Sequence, residues 1–267
     1  MNEDMTVNLE GLLASKFPGK QFPSWAIKAL KRLLRLDFIN AFLAKGYKGT
    51  EFCTKCIETL DVKLEIKGLE NVPADGSLYT FVSNHPLGGI DGVALAGIIG
   101  ENFSEATLLV NDFLMAIPGL KPLFVPVNKT GGQSRNLPQM VNSAFNSQKQ
   151  VLLFPAGLCS RKIEGKIQDV EWSKTFITKS IATGRKVVPI HFMGENSPAF
   201  YRVATLCKKL KLKFNFAMAL LPNELYKGQH KTFKVVFGEP IDPSHFDNTS
   251  TAIQWAAKVR ELVYTLE

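Results

Sequence analysis

From Asp61 onward, short apolar runs alternate with longer stretches whose apolar positions recur every three or four residues. The runs are rich in β-branched and aromatic side chains and predict strands at 62–66, 78–82, 107–110, 123–127, 151–154, 187–192 and 233–237. Helical spacing at 92–99, 137–145, 172–182, 199–210 and 252–266 separates most of them. Alternation of this kind predicts an α/β fold with a single mixed sheet flanked by helices. Ahead of it, residues 22–45 are predicted helical, with Trp25, Leu30, Leu33, Phe38 and Phe42 interleaved with Lys28, Lys31, Arg32 and Arg35. Such a segment either lies in a membrane interface with its cations among phosphates, or packs on the domain with a solvated basic face. Its leucine and phenylalanine content favours the membrane. The predicted division is therefore a helical, membrane-associating segment at 1–60 and an α/β domain at 61–267, with no internal repeat or low-complexity linker.

Candidate chemistry gathers at the ends of two predicted strands. The stretch Ser83-Asn84-His85-Pro86-Leu87-Gly88-Gly89-Ile90-Asp91-Gly92 places a histidine and a carboxylate in one glycine-rich turn after the 78–82 run. Ligands bind at such strand ends in open α/β sheets. On a continuous helix the two residues would be separated by roughly 600° and face opposite sides. They meet only if the chain between them loops back. Pro86 disfavours helical geometry at His85, and Gly88 and Gly89 accept positive φ at little cost. A histidine held by a carboxylate removes a proton from a hydroxyl near neutral pH, so His85 is the predicted base and Asp91 its orienting partner. Alone, the two residues would merely end a strand and cap a helix. A second turn, about 70 residues later, changes that balance: the 151–154 run enters Pro155-Ala156-Gly157-Leu158-Cys159-Ser160-Arg161-Lys162. Backbone N–H groups near Gly157, with Ser160, Arg161 and Lys162, would meet an anionic or carbonyl group there.

The 267 residues carry a formal net charge of +8, which favours an anionic partner: nucleic acid, anionic lipid or an acidic carrier protein. Nucleic acid is disfavoured by the lack of a reader motif. Four scattered cysteines and an N-terminus without a basic-then-apolar leader predict a reducing, cytosolic setting. Cys53-Thr54-Lys55-Cys56 lies in a helical pattern with no second pair at zinc spacing, which predicts a structural role. No apolar run reaches the roughly 18–20 residues of a spanning helix, so membrane contact is expected to be peripheral, at the cytoplasmic face. His191 is predicted to be a core or rim residue, and His230 and His245 lack metal-binding partners. Gly132-Gln133-Ser134-Arg135-Asn136 fails as a nucleophile elbow at its last position.

The blocks together resemble the glycerolipid acyltransferase family. The His85–Asp91 turn is similar to its His-x-x-x-x-Asp block, and Phe154-Pro155-Ala156-Gly157-Leu158-Cys159-Ser160-Arg161 to its Phe-Pro-Glu-Gly-Thr-Arg-Ser block. Between them, the segment from Gly119 to Lys129 stands where that family binds its acceptor. Val187-Val188-Pro189-Ile190 and Gly238-Glu239-Pro240-Ile241 resemble later blocks, in family order. The histidine-to-aspartate spacing is one residue longer than usual, Ala156 stands for the usual glutamate, and Cys159 and Asn128-Lys129 stand where arginines are usual. Lost arginines disfavour a phosphate monoester acceptor. The variant pattern is closer to the bacterial, hemolysin-like branch that O-acylates ornithine or glycine lipid precursors.

That resemblance implies acyl transfer from an acyl carrier protein or CoA thioester to the hydroxyl of a monoacylated amino-acid lipid. His85 and Asp91 would be catalytic, and Lys129, Gly157, Ser160 and Arg161 would contact substrate. No bound cofactor and no metal are expected. The implied partners are the thioester donor, a membrane lipid acceptor and an anionic membrane surface. The alternatives are a 1-acylglycerol-3-phosphate acyltransferase and a silent lipid-binding protein at the membrane surface. Retention of both His85 and Asp91 argues against the silent one.

Overall fold

The structure, a computed structural model, describes residues 6–110, 117–126, 137–211 and 216–267. The helices among them are α1 (Leu9–Lys16), α2 (Ser24–Leu33), α3 (Leu36–Leu43), α4 (Gly49–Thr59), α5 (Ile90–Asn102), α6 (Leu137–Phe145), α7 (Thr175–Thr183), α8 (Pro198–Lys209), α9 (Leu221–Lys227) and α10 (Ala252–Thr265). The strands are β1 (Lys63–Lys67), β2 (Tyr79–Ser83), β3 (Ala106–Val110), β4 (Phe124–Pro126), β5 (Gln150–Leu153), β6 (Arg161–Ile163), β7 (Lys166–Gln168), β8 (Lys186–Met193) and β9 (Thr232–Phe237). Seven form one sheet in the order β1-β9-β8-β2-β5-β3-β4, parallel except for the β8–β9 pair, while β6 and β7 make a separate antiparallel hairpin.

The sheet divides two apolar layers, and the side-chain period of two decides which residue serves which layer. Phe81, Leu152, Val188, Ile190 and Phe192 join α3, α4 and α5 on one face. Val82, Val151, Leu153 and Val187 join α6, α7 and α10 on the other. Every residue of β2 is buried, which explains why its sequence reads as a continuous apolar run rather than an alternating one. The residues of α3 and α4 belong to the same core as the sheet: Phe42, Leu43, Phe52, Cys53 and Cys56 pack against α5 and the strands. Cys53 and Cys56 are free and buried, and burial pushes the Cys56 thiol up to about 12.

The 22–45 pattern, expected as one helical segment, is divided into α2 and α3 by Arg35, whose φ is +52°. Its guanidinium stacks 4.3 Å over Tyr226 and its Nε donates to Asn223 Oδ1 at 2.8 Å, contacts with α9 that hold this break. The α2 helix buries none of its residues, and Trp25 is 73 % exposed. A second difference is the β6–β7 hairpin, which the strand expectation omitted. Glu164 and Gly165 both take positive φ between its strands, the geometry of a tight hairpin turn. Val127, the end of one expected strand, lies outside the described residues.

Candidate active site

Two chain segments far apart in sequence meet because β2 and β5 are parallel neighbours, with Thr80 opposite Val151 and Val82 opposite Leu153. The turns that follow them leave the sheet at the same edge, side by side. The first runs from Asn84 to Gly89 and enters α5. Asn84 anchors it to β8 by a reciprocal pair: its Nδ2 donates to the Phe192 carbonyl at 2.9 Å and its Oδ1 accepts from the Phe192 N–H at 2.8 Å. Asn196 Nδ2 donates to the carbonyls of Pro86 and Leu87 at 3.1 and 3.2 Å. Gly88 has φ +74°, and a Cβ there would lie 2.2 Å from Cys159 Sγ, so this position admits the turn only as glycine. Gly89, expected to share that role, is not in the positive-φ region; its φ is −150°.

The loop folds back as the glycines required. His85 Nδ1 lies 3.0 Å from Asp91 Oδ2, and the same oxygen accepts the N–H groups of Leu87 at 2.9 Å and Gly88 at 3.2 Å. Asp91 Oδ1 takes the Gly92 N–H at 2.9 Å. The carboxylate is fully buried, whereas the imidazole retains 17 % exposure and stacks on Phe154 at 4.0 Å between ring centroids. With Nδ1 committed to Asp91, Nε2 is the nitrogen left for a substrate proton. Burial opposes the charged form of each partner. For His85 the charge and hydrogen bond of Asp91, helped by the charge of Asp169, outweigh it and raise its pKa. For Asp91 the His85 charge and hydrogen bond, with the two turn amides, outweigh it and lower its pKa.

In the second turn Gly157 takes φ +67° and its N–H closes on the Phe154 carbonyl at 2.8 Å. Ser160 is 1 % exposed, and its N–H donates to the His85 carbonyl at 2.7 Å, stitching the two turns together. Its hydroxyl donates to Asp169 Oδ1 at 2.6 Å. Arg161 is partly exposed; Nη1 donates to the carbonyls of Cys159 and Ser160 at 2.6 and 3.2 Å, and the guanidinium lies 5.5 Å over the Phe200 ring. Cys159 is buried as a neutral thiol, pushed up to about 12 by burial, and offers no charge where the resembling family has arginine. Lys129 lies outside the described residues, as does the 132–136 segment. His191 is half-buried with Nδ1 2.8 Å from the Leu266 carbonyl; His230 pairs with Asp61 at 2.8 Å on the surface, and His245 packs on Trp255. Among the described residues there is no cluster of three or more metal-ligating side chains.

Asp169, just past β7, escaped the sequence reading. It is 1 % exposed, and its Oδ1 accepts the His85 N–H at 3.2 Å besides the Ser160 hydroxyl, while Oδ2 accepts Trp172 Nε1–H at 2.9 Å. Its own N–H donates to the Tyr264 hydroxyl at 2.8 Å and its carbonyl accepts Arg260 Nη2 at 2.6 Å. Burial raises its pKa against the pull of these donors. An isolated acid in Gln168-Asp169-Val170-Glu171-Trp172 carries no motif; only an omitted hairpin delivers it to the site.

A histidine oriented by a buried carboxylate at the edge of a mixed α/β sheet, beside a Phe-Pro-Ala-Gly turn, is able to accept a proton from a hydroxyl. The family model described as "Acyltransferase" matches residues 11–267, and the chain belongs to that family. It is 49 % identical over 265 residues to a protein named lyso-glycine lipid O-acyltransferase from Bacteroides thetaiotaomicron, covering 97 % of each chain. A protein of the same name from Phocaeicola vulgatus is also 49 % identical, over 266 residues, with 97 % of this chain and 95 % of that protein covered. Among solved structures, the 1-acyl-sn-glycerophosphate acyltransferase PlsC from Thermotoga maritima shares the fold. It matches with a TM-score of 0.51 and 18 % identity over 95 % of this chain and 86 % of that one.

Proposed function

We propose that this acyltransferase moves a fatty acyl group from a thioester, on acyl carrier protein or CoA, to the hydroxyl of a monoacylated glycine or closely related amino-acid lipid. His85 Nε2 takes the hydroxyl proton as the oxygen attacks the thioester carbonyl. Asp91 holds the ring and balances the imidazolium that forms. The tetrahedral intermediate collapses with cleavage of the carbon–sulfur bond, and the departing thiolate takes the proton from His85, leaving an ester and a free thiol. The Gly157 N–H is spent on Phe154, and among the described residues the next amides, of Leu158 and Cys159, have no backbone acceptor. Of the two, the Leu158 amide is a donor available to the oxyanion, since the Cys159 amide lies against its own thiol. Arg161, fixed through Nη1, keeps its other edge for an acceptor carboxylate, and one guanidinium matches a single carboxylate better than a phosphate monoester.

The observation that carries this reading is the 3.0 Å His85–Asp91 contact, in a chain about half identical to two proteins named for lyso-glycine lipid acylation. No described helix is long and apolar enough to cross a membrane. The exposed Trp25 beside the α2 cations supports peripheral contact with an anionic membrane surface, which this reading assigns to the cytoplasmic face. The test is transfer of a labelled acyl group from acyl carrier protein and from CoA to N-acyl glycine, N-acyl ornithine and lysophosphatidate, with wild type beside His85→Ala. Transfer to an N-acyl amino acid, reduced on the order of 10²–10⁴-fold in the variant, is the expected result. Transfer to lysophosphatidate alone overturns the acceptor, and activity that survives in the variant overturns the base.

A further inference from the structure

We infer that Asp169 is a positioning residue of the transfer reaction: its carboxylate locks the His85 turn to the Ser160 turn and supplies a second negative charge behind the base. The inference rests on His85 being that base. Three donors from three segments converge on this one side chain: a backbone N–H from the first turn, a hydroxyl from the second and an indole N–H from the segment leading to α7. Two of the three, the His85 amide and Trp172 Nε1–H, can only donate and lie on different oxygens, an arrangement suited to an anion. A neutral amide in this place would turn an N–H toward one of them.

The lock acts on the His85 backbone at both of its polar groups. Asp169 holds the His85 N–H, and the Ser160 N–H holds the His85 carbonyl, while Asp169 in turn fixes the Ser160 side chain. The ring's tautomer is set by Asp91, but the place from which Nε2 reaches substrate is set by the backbone that carries the ring. Loosening that backbone misplaces the base without removing it. Asp169 is itself held from α10, through Tyr264 and Arg260.

The charge acts on the same group. His85 faces Asp91 from α5, Asp169 beyond the hairpin, and Arg161 from β6. Asp169 faces His85, Ser160 and Trp172, with Arg260 and Tyr264 from α10; Tyr264 is a neutral phenol pushed up to about 12 by burial. Asp91 and Asp169 raise His85, whereas Arg161 lowers it. The base must be neutral to accept a proton, so activity rises with pH through its pKa. Removing the Asp169 charge lowers that pKa and moves the acid limb to lower pH.

The experiment measures kcat, KM and the pH dependence of kcat/KM for wild type, His85→Ala, Asp169→Asn and Ser160→Ala, with the thermal midpoint of each. In a folded Asp169→Asn protein, kcat is expected to fall about tenfold or more, KM to stay within about threefold, and the acid limb to move down. Ser160→Ala keeps the carboxylate and is expected to lose about threefold or more in kcat at unchanged KM, with the limb in place. Unchanged kcat or an unmoved limb in folded Asp169→Asn overturns the inference. If that variant does not fold, Ser160→Ala decides, and a kcat within about twofold of wild type, or a loss confined to KM, overturns it. Activity of wild type that His85→Ala retains removes the underlying reading instead, so the two failures are separable.

Discussion

His85 and Asp91 form a pair whose two members are displaced in opposite directions from their ordinary values, His85 upward and Asp91 downward. The neutral, proton-accepting imidazole therefore prevails only above the raised His85 value, and kcat/KM should climb through an acid limb lying above the ordinary histidine value of about 6.5. Asp91→Asn removes the counter-charge. We expect kcat to fall on the order of 10²–10⁴-fold and the acid limb to move to lower pH, as read from a pH–rate profile. An unmoved limb would sink the pairing. The same pair links pH to stability. A depressed Asp91 contributes stability above its unfolded value and loses it as pH falls through the folded one. A raised His85 contributes below its unfolded value and loses it as pH rises through the folded one. Gly88→Ala addresses the turn itself. Its φ of +74° and the 2.2 Å approach to Cys159 predict a loss of about 1–3 kcal/mol in a denaturant titration, with turnover lowered because the Gly88 amide helps hold Asp91. A substitution without effect on either would contradict this turn geometry.

At the scale of elements, the legibility of the sequence follows burial. The strands β2, β5 and β8 were visible because sheet burial on both faces leaves unbroken apolar runs, and α8 and α10 because one face alone is buried, whereas α5 is buried nearly all round. The hairpin was not, since each of its strands has three residues and its turn is Glu-Gly rather than the usual Asn-Gly or Asp-Gly. Nor was the break between α2 and α3, where neither glycine nor proline stands and a contact with distant Tyr226 holds Arg35 in a left-handed conformation. The histidine and its partner carboxylate could be named from a local pattern. Asp169 could not, because the two partners that tie it to the His85 turn and to α10 stand 84 positions earlier in the chain and 95 later. For α2, the prediction concerns charge. Lys31 is already paired with Glu10 at 2.8 Å, which leaves Lys28 and Arg32 as its more open cations, since Arg35 lies beyond the helix against Tyr226 and Asn223. Each cation near an anionic surface is worth about 1 kcal/mol, so replacing Lys28, Lys31, Arg32 and Arg35 by glutamine should weaken sedimentation with anionic vesicles by about tenfold or more. Binding that neither the substitutions nor added salt reduces would exclude this helix as the electrostatic contact.

At the scale of the whole molecule, the fold is a device for bringing two turns from one sheet edge against a helix from the opposite layer. The central pairing of β2 with β5 supplies the first two parts, and α10, packed against β8 and α7, supplies the third. Arg260 and Tyr264 lie later in the chain than every other residue joined to this network, and they hold Asp169 from a helix begun by a Thr251–Gln254 capping box. A polypeptide is made from its N-terminus, so the base and its partner leave the ribosome long before the residues that brace them. The brace on Asp169 is therefore the last part of this network to be made, and it is complete only once α10 has docked.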